Sequence, residues 1–319
     1  MKDIYKILIV CVFLACACAA TPTWTTPAKV HVSAFAVNDY SNYSPSVAPP
    51  LSRSIITKDT FITSLFSELN VHYPGIGKYI PYNFNDSGAT VCSYKGALTY
   101  HSEFVFFAGH GHQQLIVMYD LPMKVYEGCA GDTCSAINYG KVYGGDTRWV
   151  IFNSCLTLNV NKSNMLSYPL TLESVDLSRV DTLRTVFRGV HAILGNYALT
   201  WAREFPIPYY NEIIATENLY KFFAKNFISY NETIWDSFVM ANMSVYSQFV
   251  EVLSVYGLDG PAGLKPAIAF LRGYDENGVY HDTSLERFNH TYNQPINING
   301  SLELFIMYYE LGEPLYSFL

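Results

Sequence analysis

The sequence predicts an α/β sandwich of three layers, a mainly parallel sheet with helices on both faces. Three observations predict it. Short apolar runs alternate with amphipathic helical stretches through most of the 319 residues, the order that builds βαβ units. Several of these runs are continuously apolar, among them FVFFA at 104–108 and WVIF at 149–152, as expected of strands covered on both faces. Half of the residues are hydrophobic, enough for a large core.

Residues 1–20 stand apart. Lys2 and Lys6 flank the start, the apolar run Ile7 to Ala20 follows, and it closes on Ala17-Cys18-Ala19-Ala20. This is the layout of a secretory signal peptide, cleaved after Ala19 or Ala20. The run falls short of the roughly 20 apolar residues of a membrane span. The expectation is a secreted or cell-surface protein with no stable membrane span once the signal is removed. A lipid anchor through Cys16 or Cys18 is the alternative, although neither sits in a good lipobox. Residues 21–281 are read as the main domain and 282–319 as a C-terminal extension packed on it.

Along the main domain, KVHVSAFAV at 29–37 alternates and reads as the first strand. Residues 38–50, rich in Ser, Tyr, Asn and Pro, read as loop. Phe61, Leu65, Phe66 and Leu69 recur at helical spacing over 59–71, with Asp59 or Thr60 as N-cap. A long Tyr/Asn/Gly stretch leads to the strand 104–108, and an irregular region, 113–146, leads to the strand 149–152. Leu177, Val180, Leu183, Val186 and Phe187 mark a helix over 176–188, ended by Gly189, with VHAIL at 190–194 as the next strand. Helices follow over 219–228 and 233–250, and 267–271 is the last core strand. The apolar stretch 302–309 reads as an added edge strand or a small appendage.

The net charge of −7 and the lack of any Lys/Arg run argue against a nucleic-acid partner. Seven N-x-S/T sequons, at Asn42, Asn85, Asn161, Asn231, Asn242, Asn289 and Asn299, fit a glycosylated outer surface. The abundant Tyr and Asn suit polar loops and contact surfaces. Four cysteines lie beyond the leader. Cys129 and Cys134 bracket a four-residue turn and form a possible disulfide; Cys92 is open to pairing with Cys155 or to burial.

In parallel sheets the chemistry lies beyond the carboxyl ends of the strands, near a switch in strand order. Two strand ends carry reactive residues, His110 in AGHG and Cys155 in NSC. A cysteine attacks as thiolate, and a nearby imidazole takes its proton or stabilises the ion pair. Gly111 lets the backbone approach a substrate, so its N–H and that of Cys155 could form an oxyanion hole. A bland turn at His110 and a buried, inert thiol at Cys155 are the alternatives. His110 and His112 share a face of an extended chain, but no third ligand accompanies them, so no metal site is expected. His112 reads as a rim residue, and His191, within an apolar strand, as a satisfied core residue.

An apolar strand ending in His-Gly, followed 45 residues later by one ending in Ser-Cys, resembles the caspase-like (clan CD) cysteine peptidases, which include caspases, metacaspases, legumains, gingipains and separases. GVHAILGNYALTW and the helical pair after it resemble the fifth strand and following helices of that fold, so the resemblance covers about residues 29–275. It is closest to an uncharacterised group of exported bacterial and archaeal proteins. The resemblance implies a caspase-like sheet, His110 as base, Cys155 as nucleophile, a peptide or protein substrate and no cofactor. It also implies a substrate pocket lined by His112, Tyr197, Trp201, Arg203 and Glu204. The Leu-Thr-Leu after Cys155 departs from the small or glycine-containing loop of several families. A caspase-like fold without catalysis, serving as a surface binding module, is the alternative.

Overall fold

The computed structural model describes residues 24–44, 48–99, 102–112, 115–124, 147–160, 176–187, 190–196, 204–207, 212–215, 217–256, 266–275, 278–292, 302–310 and 313–317. The leader, the Cys129–Cys134 pair and the pocket candidates Tyr197, Trp201 and Arg203 lie outside them. In chain order the strands are β1 (Trp24–Thr25), β2 (Lys29–Ala36), β3 (Gly77–Asn85), β4 (Phe104–Ala108), β5 (Gly111–His112), β6 (Leu115–Val117), β7 (Pro122–Lys124) and β8 (Trp149–Asn153). Then come β9 (Ala192–Asn196), β10 (Glu204–Ile207), β11 (Glu212–Ala215), β12 (Pro266–Tyr274), β13 (Tyr280–Asp282), β14 (Thr291–Tyr292), β15 (Glu303–Glu310) and β16 (Glu313–Ser317). The helices are α1 (Ser54–His72), α2 (Val91–Thr99), α3 (Leu177–Val186), α4 (Asn218–Ala224) and α5 (Ile234–Tyr256).

One sheet dominates, in the order β16-β15-β12-β9-β8-β4-β2-β3, with β13 on β12. The pairs from β3 to β9 are all parallel, and β12, β15 and β16 extend the sheet antiparallel. The continuous apolar runs serve two cores. Alternate residues of β2, β4 and β8 (Val32 and Ala34, Phe104 and Phe106, Trp149 and Ile151) face Phe61 and Leu65 of α1, Phe223 of α4 and Phe238 of α5. The residues between them (Phe35, Val105 and Phe107, Val150 and Phe152) face Tyr94 of α2 and Leu183 of α3. Helices on both faces of a mostly parallel sheet make the three-layer α/β sandwich that the sequence predicts.

Several boundaries differ from the sequence reading. α1 starts at Ser54, so Asp59 and Thr60 lie inside it; its first amides are capped from a distance by Asn38 Oδ1, which accepts from Ser54 N at 2.8 Å. The Tyr/Asn/Gly stretch before residue 104, to which the sequence reading gave no element, holds β3 and α2. β3 is an edge strand with Tyr79 and Ile80 exposed and a proline at 81, so it shows no inward-outward alternation. The segment 302–309 is neither edge nor appendage: β15 pairs with β12 on one side and β16 on the other.

His191 is a satisfied core residue. It immediately precedes β9, and its Nδ1 lies 2.7 Å from Glu286 Oε1, with both side chains buried. Glu286 also accepts from Trp149 Nε1 at 3.0 Å and from Tyr292 N at 2.9 Å, as a buried charge requires. Beside this cluster β1 pairs with β14, and Thr291 Oγ1 donates to Thr25 O. Asn242 is 2% exposed on α5 with its Nδ2 bonded to Phe238 O, so this sequon accepts no glycan in the folded chain. Asn42, Asn85 and Asn289 are exposed.

Candidate active site

The strand order places the switch between β2 and β4: β3 follows β2 outward on one side, and β4 and β8 continue on the other. Connections leaving in opposite directions open a crevice at the carboxyl ends of these strands. Tyr40 lies just beyond β2, His110 just beyond β4 and Cys155 just beyond β8.

β4 and β8 are neighbours whose register ends at Ala108 opposite Asn153, and Gly109 N still donates to Asn153 O at 3.3 Å. The two chains therefore leave the sheet side by side. At Gly111 they touch. A Cβ there would lie 2.5 Å from the Cys155 carbonyl oxygen, 2.8 Å from Ser154 Cβ and 3.0 Å from the Cys155 nitrogen. The glycine thus lets one backbone lie against the other, and Cys155 is half-buried beside it. After Cys155 the chain turns sharply. Leu156 adopts φ 56°, a left-handed conformation uncommon for a leucine, and Leu158 N donates to Asn196 O at the end of β9.

His110 is held at three points. Its N–H donates to the Tyr40 hydroxyl at 2.8 Å, its carbonyl accepts from Val117 N at 3.0 Å, and its Nε2 lies 2.6 Å from the Pro49 carbonyl. A carbonyl can only accept, so Nε2 carries the proton and, in the neutral ring, Nδ1 keeps the lone pair. Residues 38–44 and 48–51, which supply Tyr40 and Pro49, are themselves tied down. Asp86 Oδ1 accepts from Asn38 N and Asp39 N, and Tyr43 Oη donates to Met118 O at 2.9 Å. Burial pushes the Tyr40 phenol far above its usual range, against a smaller opposing effect of the His110 amide. Burial, helped by the charge of Asp120, pushes Tyr43 up to about 12.

His112 is exposed on β5. Glu204 opens β10, of which the backbone alone is described. Cys92 is neither buried nor paired: it is an exposed free thiol. Tyr40 and Pro49 escaped the sequence reading. The rule that directs attention beyond strand ends, applied to the first strand as it was to the next two, reaches both.

No family model matches the chain, and no curated protein matches it. Among solved structures it is similar to the Arg-specific cysteine proteinase gingipain R, with 13% identity and a TM-score of 0.37 over 86% of this chain and 63% of the other. It is also similar to an inactive zymogen C11 protease from Parabacteroides distasonis, with 10% identity and a TM-score of 0.33 over 79% and 63% of the two chains. A third is the secreted C11 cysteine protease iotapain from Bacteroides thetaiotaomicron, with 11% identity and a TM-score of 0.34 over 76% and 67%. These are all cysteine proteases, and the chain spans just under two thirds of the length of the first two.

Proposed function

We propose that the chain is an exported caspase-like cysteine peptidase with Cys155 as nucleophile and His110 as base. The observation that carries this reading is the close approach of the Gly111 and Cys155 backbones, where a Cβ on Gly111 would meet the Cys155 peptide. It brings the amides of both residues to one place, at the ends of the adjacent strands that also deliver the thiol and the imidazole. Export rests on the signal-like leader.

In the reaction, His110 Nδ1 takes the Cys155 thiol proton while Pro49 holds Nε2–H. The sulfur attacks the carbonyl carbon of the scissile peptide and a C–S bond forms. The resulting oxyanion accepts hydrogen bonds from the N–H groups of Gly111 and Cys155, each worth on the order of 3 kcal/mol in the transition state. The C–N bond then breaks, and the imidazolium gives its proton to the leaving amine. A water, deprotonated by the imidazole, cleaves the thioester and restores the thiol. His112 stands at the rim of this site, and the family resemblance assigns the substrate pocket to Tyr197, Trp201, Arg203 and Glu204.

Digestion of a peptide library by wild type and Cys155→Ala tests the reading. Cleavage should vanish in the variant. Iodoacetamide should label Cys155 faster than Cys92 at pH 7, and His110→Ala should slow Cys155 while leaving Cys92, exposed and free, as an internal control. Cleavage that survives Cys155→Ala, or a folded wild type whose Cys155 reacts no faster than Cys92, overturns the reading.

A further inference from the structure

The catalytic reading leaves a buried group unused beside His110. Tyr40 is 1% exposed, and a buried phenol must find hydrogen-bond partners. It finds two. The hydroxyl accepts from His110 N at 2.8 Å and donates to Val117 O at 3.2 Å. Val117 N in turn donates to His110 O at 3.0 Å. The phenol oxygen thereby closes a ring of three hydrogen bonds that fixes the backbone of His110 on both sides. The Tyr40 ring also packs on the imidazole, with centroids 4.7 Å apart at 53°.

We propose that Tyr40 is the positioning residue of His110, its hydroxyl setting where the imidazole stands to receive the Cys155 proton. This rests on His110 and Cys155 being the reacting pair. Tyr40 and Pro49 hold both ends of the histidine, the one its backbone and the other its ring. The wording Gly-His-Gly follows from the same geometry. A Cβ on Gly109 would lie 2.5 Å from the Tyr40 hydroxyl, as one on Gly111 would meet Cys155. One glycine admits the phenol and the other admits the nucleophile's backbone. Burial keeps the phenol protonated well above its usual range, so it remains both donor and acceptor at any pH at which a thiol–imidazole pair works.

Tyr40→Phe tests the proposal, because it keeps the ring and removes one oxygen. A misplaced base slows chemistry more than binding, so kcat should fall about tenfold or more with KM within about twofold. The pH profile of Cys155 alkylation should move to higher pH. Gly109→Ala, whose Cβ would meet both the Tyr40 hydroxyl and the Phe107 ring, should do the same and serves if Tyr40→Phe does not fold, with Phe107→Leu as the control for the second contact. A purely structural tyrosine would lower the Tm and leave the alkylation profile in place, and that result overturns the proposal.

Long-range 1H–15N spectra separate this from failure of the peptidase reading. The His110 ring, assigned among the eight histidines by its loss in His110→Ala, should be a single Nε2–H tautomer in wild type and a mixture in the variant. An unchanged tautomer in Tyr40→Phe sinks the positioning role even if cleavage is seen. Cleavage that survives Cys155→Ala, in turn, removes the reacting pair on which the positioning role depends.

Discussion

Gly111 has no room for a side chain, because the obstacle is the backbone of Cys155 and backbone cannot swing aside. Gly111→Ala should therefore destabilise the fold by about 1–3 kcal/mol, the usual cost of overpacking. Peptidase activity should fall further than stability, since the displaced atoms are the proposed oxyanion donors. Urea unfolding and kcat/KM, measured on one preparation, check both; an alanine variant as stable and active as wild type would contradict the contact. The places of His110 and Cys155 beyond two neighbouring strands were legible in the sequence because each follows an unbroken apolar run that reads as a strand. Pro49 and Tyr40 were not, because a loop's hydrogen bonds to a partner about 60 or 70 residues away leave no local period.

The elements show the same division. α1 was recognisable from Phe61, Leu65 and Leu69, one stripe facing one core. Its start was not, since the cap comes from Asn38, sixteen residues before Ser54. Asn38 joins two tasks: its side chain caps α1, and its amide is held by Asp86 in the turn after β3. Asn38→Ala should cost about 1 kcal/mol as a lost cap. It should also loosen the backbone around Tyr40 and so slow iodoacetamide labelling of Cys155. Equal labelling rates in the two proteins would show that the clasp around His110 does not depend on its anchor. β3 and α2 stayed hidden because neither carries a clean apolar stripe: β3 is a half-exposed edge strand, and α2 runs for only nine residues.

Across the whole molecule, the alternation of strands and helices was readable because both faces of the sheet are buried and each core demands its own set of apolar residues. The antiparallel half was harder to place, because β12 and β15 differ in composition from the parallel strands no more than those strands differ among themselves. The tyrosines give the molecule a pH signature. Burial raises Tyr43 and Tyr292 to about 12 and pushes Tyr40 and Tyr220 well above the usual range, from an unfolded value near 10. With the folded values raised, the unfolded chain loses these protons first. Their contribution is whole below pH 10 and is lost as pH rises toward and through the folded values. The urea midpoint should hold to about pH 10 and fall beyond it; a flat profile to pH 12 would mean that these phenols ionise freely in the native state.

The pairing of β1 with β14, with a hydrogen bond spanning 266 residues of chain, bears on how the polypeptide is made. A ribosome delivers Trp24 and Thr25 long before Thr291 and Tyr292, so this closure forms late in synthesis. Contacts so distant in sequence are slow to form, so the two-residue pair that ties the start of the described chain to Thr291 and Tyr292 closes among the last.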